Sequence, residues 1–280
     1  LNNYNTGLFT FGNGNSNNLA YTVGLSRNNT FNDPIYPIGG SSFSLSAKFS
    51  FPYSAVSDVD YTELKNERDA QYDILAQYAN STNPVEVESR NAASERIGEI
   101  DQLRFKWLEF YKVKFKGEWY TKIVGDLVLK PTFEFGFLGA YNNDRGVIPF
   151  ERFFLGGDGL GTYSLDGREA IALRGYPNQS LSSQDGGSIY NKFSLELRHP
   201  ITLAQQTKIF ALAFLEGGNS YNDFKNFNPF NIKRSAGIGL RIFMPAFGLL
   251  GIDFGHGFDP LPGETNKSGW QTHFIIGQQF

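Results

Sequence analysis

Apolar and polar residues alternate along most of this 280-residue chain, and the alternation limits the folds that it can adopt. From residue 43 to residue 53 the odd positions carry apolar side chains, whereas the even positions are mostly Ser or Lys. Successive side chains of a β-strand point to opposite faces, so this segment predicts a strand with one apolar and one polar face. The same division returns at 19–26, 111–116, 132–137, 193–198 and 237–242.

The chemistry of the two faces separates a membrane barrel from a soluble sandwich, which would also alternate. The polar face carries Lys, Glu and Arg, and a dry core holds such groups unpaired only at a cost of several kcal/mol. The other face is large and aromatic on nearly every strand, as a lipid-facing band requires. These features favour a transmembrane barrel. Residues 209–215 are apolar on both faces, and only Glu216 indicates which face is polar.

Loop lengths provide a second test of this interpretation. About ten strands are predicted, at 7–12, 18–31, 42–53, 105–122, 126–143, 187–199, 207–217, 234–244, 248–256 and 269–280. Short connections (32–41, 123–126, 200–206, 245–247) alternate with long ones (54–104, 144–186, 218–233, 257–268). Outer-membrane barrels have short periplasmic turns and longer extracellular loops. The sequence therefore predicts an all-β, antiparallel transmembrane β-barrel in the bacterial outer membrane, with its C-terminus on the periplasmic side.

The connection 54–104 differs in character from the other predicted loops. Its charged segment from Tyr61 to Ala79 has apolar residues near helical spacing, and Asn83-Pro84 interrupts the run. This pattern predicts a short surface helix in a long extracellular loop.

Composition argues against several classes of function. The chain has no Cys, which excludes disulfides, thiol catalysis and thiolate metal sites. A net charge of −3 without a basic tract argues against a nucleic-acid partner. No segment reaches the roughly 18 to 20 uninterrupted apolar residues of a transmembrane helix. We expect no cofactor and no metal.

An enzyme is also not expected, although one His–carboxylate pair could be considered. Asp253 and His256 are predicted near the outer end of one strand, where a barrel protease could use such a pair. Catalysis would need further partners within hydrogen-bond reach, and no second cluster is identifiable. The Gly-rich segment 156–161 lacks the strand-to-helix context of a nucleotide-binding loop.

Four segments between residues 31 and 280 resemble the BamA family of outer-membrane assembly proteins, the bacterial surface-antigen barrels. They are 148–157, which leads into a long loop, Leu173-Arg174-Gly175-Tyr176, the hairpin 235–255, and the terminal Phe280. Their order and spacing together are specific. Leu173 stands where Val is frequent in the family, and residues 1–30 and 54–104 match poorly.

The resemblance implies sixteen strands preceded by periplasmic POTRA domains. Residues 1–280 would then be the C-terminal part of the barrel domain, with 54–104 as a long extracellular loop insertion and 144–186 as a motif loop folded into the lumen. On this interpretation the POTRA domains and the first strands would lie upstream of this sequence. The family folds and inserts β-barrel proteins into the outer membrane through a lateral seam. Its partners are unfolded barrel substrates, outer-membrane lipids and the accessory lipoproteins of an assembly complex.

The resemblance also implies two sets of site residues. Arg174 of the motif Arg174-Gly175-Tyr176 would reach into the lumen and pair with Glu196 and Glu216, and Gly175 would permit the turn. Without the family, the residues themselves favour an exposed loop position for Arg174, with the two Glu residues as ordinary lumen groups. The final strand would form the seam, where an incoming strand can add by edge pairing. Its residues are Phe274, Ile276, Gly277 and Phe280, and Gly277 is expected to weaken closure.

Two other functions stay open at this point. A related translocation barrel, TamA-like or of the two-partner secretion type, would share the fold and the motif. A passive porin or surface barrel would use its loops to bind ligands, and it would conduct ions steadily. A terminal aromatic such as Phe280 is common to many outer-membrane barrels as an assembly signal, so it does not separate these functions.

Overall fold

The computed structural model describes residues 2–4, 14–31, 33–160 and 168–277. Two α-helices are present in these residues, α1 (Tyr61–Gln77) and α2 (Pro84–Phe105). The strands in these residues are β1 (Asn2–Tyr4), β2 (Gly14–Ser16), β3 (Ala20–Asn28), β4 (Gly39–Ser50), β5 (Tyr111–Val124), β6 (Leu127–Gly139), β7 (Phe153–Leu155), β8 (Glu169–Ile171), β9 (Ile189–Leu203), β10 (Lys208–Tyr221), β11 (Lys233–Met244), β12 (Gly248–Pro260) and β13 (Lys267–Gly277).

One nine-stranded sheet dominates the fold, in the order β13-β12-β11-β10-β9-β6-β5-β4-β3. Apart from the motif loop between β6 and β9, which contains β7 and β8, its neighbours follow one another along the chain. The pairs from β6 to β13 are antiparallel. The prediction of an antiparallel all-β barrel fold is confirmed.

The chain divides into two compact units. The first comprises Leu1–Thr22, Lys48–Lys112 and Leu138–Phe150, and the second comprises Val23–Ala47, Val113–Phe137 and Glu151–Phe280.

The two faces of the sheet have the distribution that the alternation predicts. On β9 the carboxylate residue Glu196 is 9% exposed, whereas its neighbours Leu195 and Leu197 are 39% and 37% exposed. On β13 the buried residue is His273, and Phe274 is exposed. Buried charge and exposed apolar groups are the arrangement of a barrel wall that faces lipid. We call these the inner face and the outer face.

Several predicted strand bounds were wrong, and the first predicted strand, 7–12, lies outside the described residues. The strand predicted from residue 105 begins at Tyr111, because α2 runs to Phe105. The turn predicted at 200–206 is shorter, because β9 continues to Leu203. Pro200 is tolerated inside β9 because the register shifts between Ile209 and Phe210, and such a bulge relieves the ladder of one hydrogen bond.

The 54–104 connection holds two helices where the sequence predicted one. Asp60 begins α1, and its side chain accepts hydrogen bonds from the N–H groups of Thr62 and Glu63. Asn83 and Pro84, predicted to end a helix, begin the second one. Asn83 accepts from the N–H of Val85, and proline suits a first helical turn because it needs no N–H there. Neither helix in the described part of the chain is long and apolar enough to cross a membrane.

The strand that is apolar on both faces has an apolar inner face for a structural reason. Phe210, Leu212 and Phe214 of β10 are buried on the same face as Glu216. The turn 33–38, between β3 and β4, packs against them through Tyr36, which is 1% exposed. The predicted short connection 32–41 includes this segment, and its contact with the inner face was not predicted.

Candidate functional site

Backbone hydrogen bonds within the motif loop fix its conformation, in addition to the contacts of its tip with the sheet. The short strands β7 and β8 pair in parallel. Beyond them Gly157 and Leu173 exchange two backbone hydrogen bonds of 3.0 and 3.1 Å. Gly157 has φ +81°, and a side chain there would collide with Asn178. These bonds fix the position of the next three residues, Arg174, Gly175 and Tyr176. We call these residues the loop tip.

Arg174 is the centre of a buried ionic cluster on the inner face. Its Nη2 atom donates to Glu196 Oε1 at 2.8 Å and to Glu216 Oε1 at 2.7 Å, and its backbone N–H donates to Glu216 Oε2 at 2.8 Å. The Nη1 atom lies 3.2 Å from Asp253 Oδ2. The guanidinium also stacks 3.7 Å above the ring of Phe214. The two contacts expected from the sequence are present, and Asp253 adds a third.

Arg174 stays charged in this cluster despite its burial. Burial alone would lower the pKa of its guanidinium, but the carboxylates of Glu216 and Glu196 outweigh burial and raise the pKa above its ordinary value. A buried charge is stable only when it is paired, so the arginine and the carboxylates depend on one another.

Each of the three carboxylates also contacts a second cation. Arg198 donates twice to Glu196 Oε2, at 2.8 and 2.6 Å. A further pair joins Lys192 to Glu216 at 3.6 Å. The strongest of these is the two-pronged contact of Arg241 with Asp253, at 2.6 and 2.7 Å. The cluster is thus a network of alternating charges.

Gly175 is required by both conformation and space. Its φ of +85° is a conformation that side chains rarely adopt, and an added Cβ would lie 2.8 Å from Ser235 Cβ and 3.0 Å from the backbone of Gly257. Its N–H donates to His273 Nε2 at 2.9 Å, and its carbonyl accepts from Ser268 Oγ at 2.9 Å. These contacts place the tip backbone directly on the strands.

Tyr176 completes the tip. It is fully buried, and its hydroxyl donates to the carbonyl of Arg234 at 2.7 Å. Burial raises the pKa of Tyr176 to about 12, so the phenol stays neutral and remains a donor across the physiological range.

Sequence reasoning considered Asp253 as a protease residue beside His256, and that interpretation does not fit its contacts. The Asp253 carboxylate binds Arg241 and Arg174, whereas the Nδ1 atom of His256 is buried without a hydrogen-bond partner in the described residues. The sequence does indicate that a segment packs closely beside Asp253, because glycines occupy the neighbouring inner-face positions of β12. An added Cβ at Gly255 would meet the backbone of Gly175 at 2.7 Å, so these glycines make room for the tip.

The predicted seam residues lie at the edge of the sheet. In the described residues β13 pairs with β12 on one side and forms the sheet edge on the other. Phe274 and Ile276 are exposed on its outer face, and Gly277 pairs with Leu249 at its end. Phe280 lies outside the described residues, so its predicted place in the seam stays a prediction.

Comparison with known proteins places this fold in a family. A family model described as the Omp85 superfamily domain matches residues 2–280. The chain belongs to the Omp85 superfamily. The crystal structure of BamA from Haemophilus ducreyi lacking POTRA domains 1-3 is similar in fold, with a TM-score of 0.54 and 17% identity. The match covers 91% of this chain and 41% of that structure, so the chain spans less than half of its length. A search of curated proteins found no match.

Membership of the Omp85 superfamily gives the sheet its environment. Such a domain is an outer-membrane β-barrel, which assigns the outer face to lipid and the charged inner face to the lumen. In this Omp85 domain the loop tip lies against the inner face of the sheet.

Proposed function

We propose that this Omp85 barrel belongs to a BamA-type assembly factor that folds and inserts β-barrel proteins into the outer membrane. The loop tip would hold the lumen wall together, and the β13 edge would receive the incoming strand of an unfolded substrate. Unfolded barrel proteins and outer-membrane lipids are its partners in this proposal, together with accessory lipoproteins. The reaction involves no covalent chemistry and no cofactor.

The observation that carries the proposal is the inner face occupied by the buried loop tip, which also contacts β13, the predicted seam strand. A passive porin needs a water-filled lumen. Here Arg174, Glu216 and Asp253 are each no more than 6% exposed, and the polar cavity beside Arg174 and Glu216 measures about 180 Å³. This arrangement supports a barrel that works at its wall rather than through a permanent pore.

The edge of β13 supports the second half of the proposal. At a weakly closed seam the last strand would present backbone N–H and C=O groups that another strand can bind. Phe274 and Ile276 of β13 are 57% and 66% exposed on the outer face, so a probe at either position is accessible to an arriving segment.

Photo-crosslinking tests the proposal directly. A benzoyl-phenylalanine placed at Ile276 of the full-length protein in lipid vesicles should crosslink to a urea-denatured client barrel during its assembly. The matched control is the same probe at Ile238, which is 62% exposed on the same outer face but lies on β11, inside the sheet. We expect client crosslinks at position 276 and few at position 238.

The same vesicles separate the proposal from the other functions of this fold. Client barrels should become folded and protease-resistant only when the protein is present. Equal crosslinking at both positions, or steady ion conductance without client folding, would contradict an assembly factor and favour a porin. Passage of a client through the membrane without its insertion would favour a translocation barrel.

A further inference from the structure

The three residues of the loop tip contact five neighbouring strands. Arg174 binds carboxylates on β9, β10 and β12, and Tyr176 binds the carbonyl of Arg234 on β11. Gly175 contacts β13, the edge strand. A segment of three residues therefore connects every strand from the motif loop to the edge of the sheet.

The contact with β13 is built from two side chains that the family motif does not include. His273, 4% exposed, accepts the N–H of Gly175 at Nε2, and Ser268 donates its hydroxyl to the carbonyl of the same residue. Both distances are 2.9 Å. The two bonds grip opposite ends of one glycine, so β13 holds the backbone of the tip rather than a side chain.

The ladder between β12 and β13 is irregular where Ser268 lies. Gly257 pairs with Gly269, but the next pair joins Pro260 to Lys267, and the register shifts between them. Gly269 has φ +77°, which also departs from strand geometry. The hydrogen bond from Ser268 to Gly175 lies within this interrupted stretch of the ladder, and the bond from Gly175 to His273 lies in the regular part that follows.

We propose that His273 and Ser268 are positioning residues that hold the β13 edge strand to the loop tip, and that release of Gly175 frees β13 to pair with a substrate strand. This inference rests on the proposed function. It gives the loop tip a second role beside the ionic cluster. Gly175 links β13 to a loop that is already bound to β9, β10, β11 and β12.

The chemistry of His273 provides a discriminating set of variants. An imidazole nitrogen accepts a backbone N–H only when it carries no proton, so His273 must be neutral with its proton on Nδ1. Gln at this position offers a carbonyl oxygen as a replacement acceptor, whereas Phe keeps the ring and offers none. Ser268→Ala removes the other bond with a minimal change of volume. Thr272→Ala, on the exposed outer face of the same strand, is the matched control.

Hydrogen–deuterium exchange of the full-length protein in lipid nanodiscs measures the effect. We expect His273→Phe and Ser268→Ala to speed amide exchange in peptides from 267–277 by roughly threefold to tenfold, the effect of losing one ordinary hydrogen bond. His273→Gln should restore most of the protection, and Thr272→Ala should leave it unchanged. Peptides from β10 and β11 serve as internal references and should keep their exchange rates.

The possible outcomes separate this inference from the proposed function. Unchanged exchange in both His273→Phe and Ser268→Ala would overturn the inference, as would equal acceleration in Thr272→Ala or in the reference peptides. The client crosslink at position 276 is read in parallel. Faster exchange with more client crosslinking supports both proposals. Faster exchange in a protein that never crosslinks a client supports the contact to β13 and contradicts the assembly function.

Discussion

Two segments cover the inner face of this sheet with opposite chemistry. The loop tip is ionic, and Arg174 meets three carboxylates from three strands. The turn 33–38 is aromatic and apolar, and the ring of Tyr36 lies 5.3 Å from that of Phe210 in an edge-to-face contact. Both segments come from connections between strands, and both bury their central side chain almost completely.

The difference concerns what each contact requires of its partners. An ionic contact in a buried site needs each charge at the correct place, because an unpaired charge is costly there. An apolar contact mainly needs matching volume. The loop tip should therefore be intolerant of conservative substitution, and the turn should tolerate changes that keep its shape. The following predictions test that contrast.

Arg174→Ala should have the largest effect. Removing one partner of a buried ion pair costs about 3–5 kcal/mol, and we expect the lower part of this range because Glu196, Glu216 and Asp253 keep a second cation each. Heat-modifiable migration on gels after incubation in increasing urea measures the loss of folded barrel. Migration and urea midpoint equal to those of the unmodified protein would show that the cluster does not hold the loop.

The sequence predicted much of this cluster for an identifiable reason. Alternation placed Glu196 on the polar face of its strand, and Glu216 marked the polar side of the next one. The family motif then supplied Arg174 as their partner. Asp253 was missed as a member because pairing across four strands depends on tertiary structure, although the inner-face glycines beside it indicated a close approach.

The apolar turn was missed because nothing in its own sequence distinguishes it from an ordinary connection. Its counterpart was visible, since residues 209–215 are apolar on both faces of a strand that should have one polar face. A charged lumen does not need apolar side chains such as Phe210 on its wall unless something apolar packs there. The anomaly predicted a contact, but only the fold could identify Tyr36 as the residue that makes it.

A pair of conservative substitutions sharpens the comparison. Arg174→Lys keeps the charge but replaces the planar fork, so it cannot reach three carboxylates at once and should recover only part of the loss caused by Arg174→Ala. Tyr36→Phe keeps the ring and loses only the contacts of its hydroxyl with the carbonyls of Asp126 and Arg198, both at 2.9 Å. We expect about 1–2 kcal/mol for this change. The urea midpoints of both variants measure the difference, and a larger loss in Tyr36→Phe than in Arg174→Lys would reverse the proposed contrast.

The smallest effect should come from the ion pair between Asp33 and Lys208, which anchors the turn. Asp33 contacts Lys208 at 2.5 Å, and its carboxylate also accepts the N–H of Ile35 at 2.8 Å. Burial alone would raise the pKa of Asp33, but these hydrogen bonds outweigh it and hold the pKa below its ordinary value. Because the pair is partly exposed, Asp33→Asn should cost about 1 kcal/mol or less at neutral pH.

The pH dependence of that cost follows from the direction of the shift. A carboxylate whose pKa is lower in the folded protein stabilises the fold above its unfolded pKa of about 4, and this contribution disappears as the pH falls through the folded value. The stability difference between the unmodified protein and Asp33→Asn should therefore be constant from pH 7 to about pH 5 and shrink below about pH 4. Urea midpoints of both proteins at each pH measure it. A difference that persists unchanged at pH 2 would mean that the charge of Asp33 does not anchor the turn, and that its volume and backbone contacts alone hold Tyr36 on the inner face.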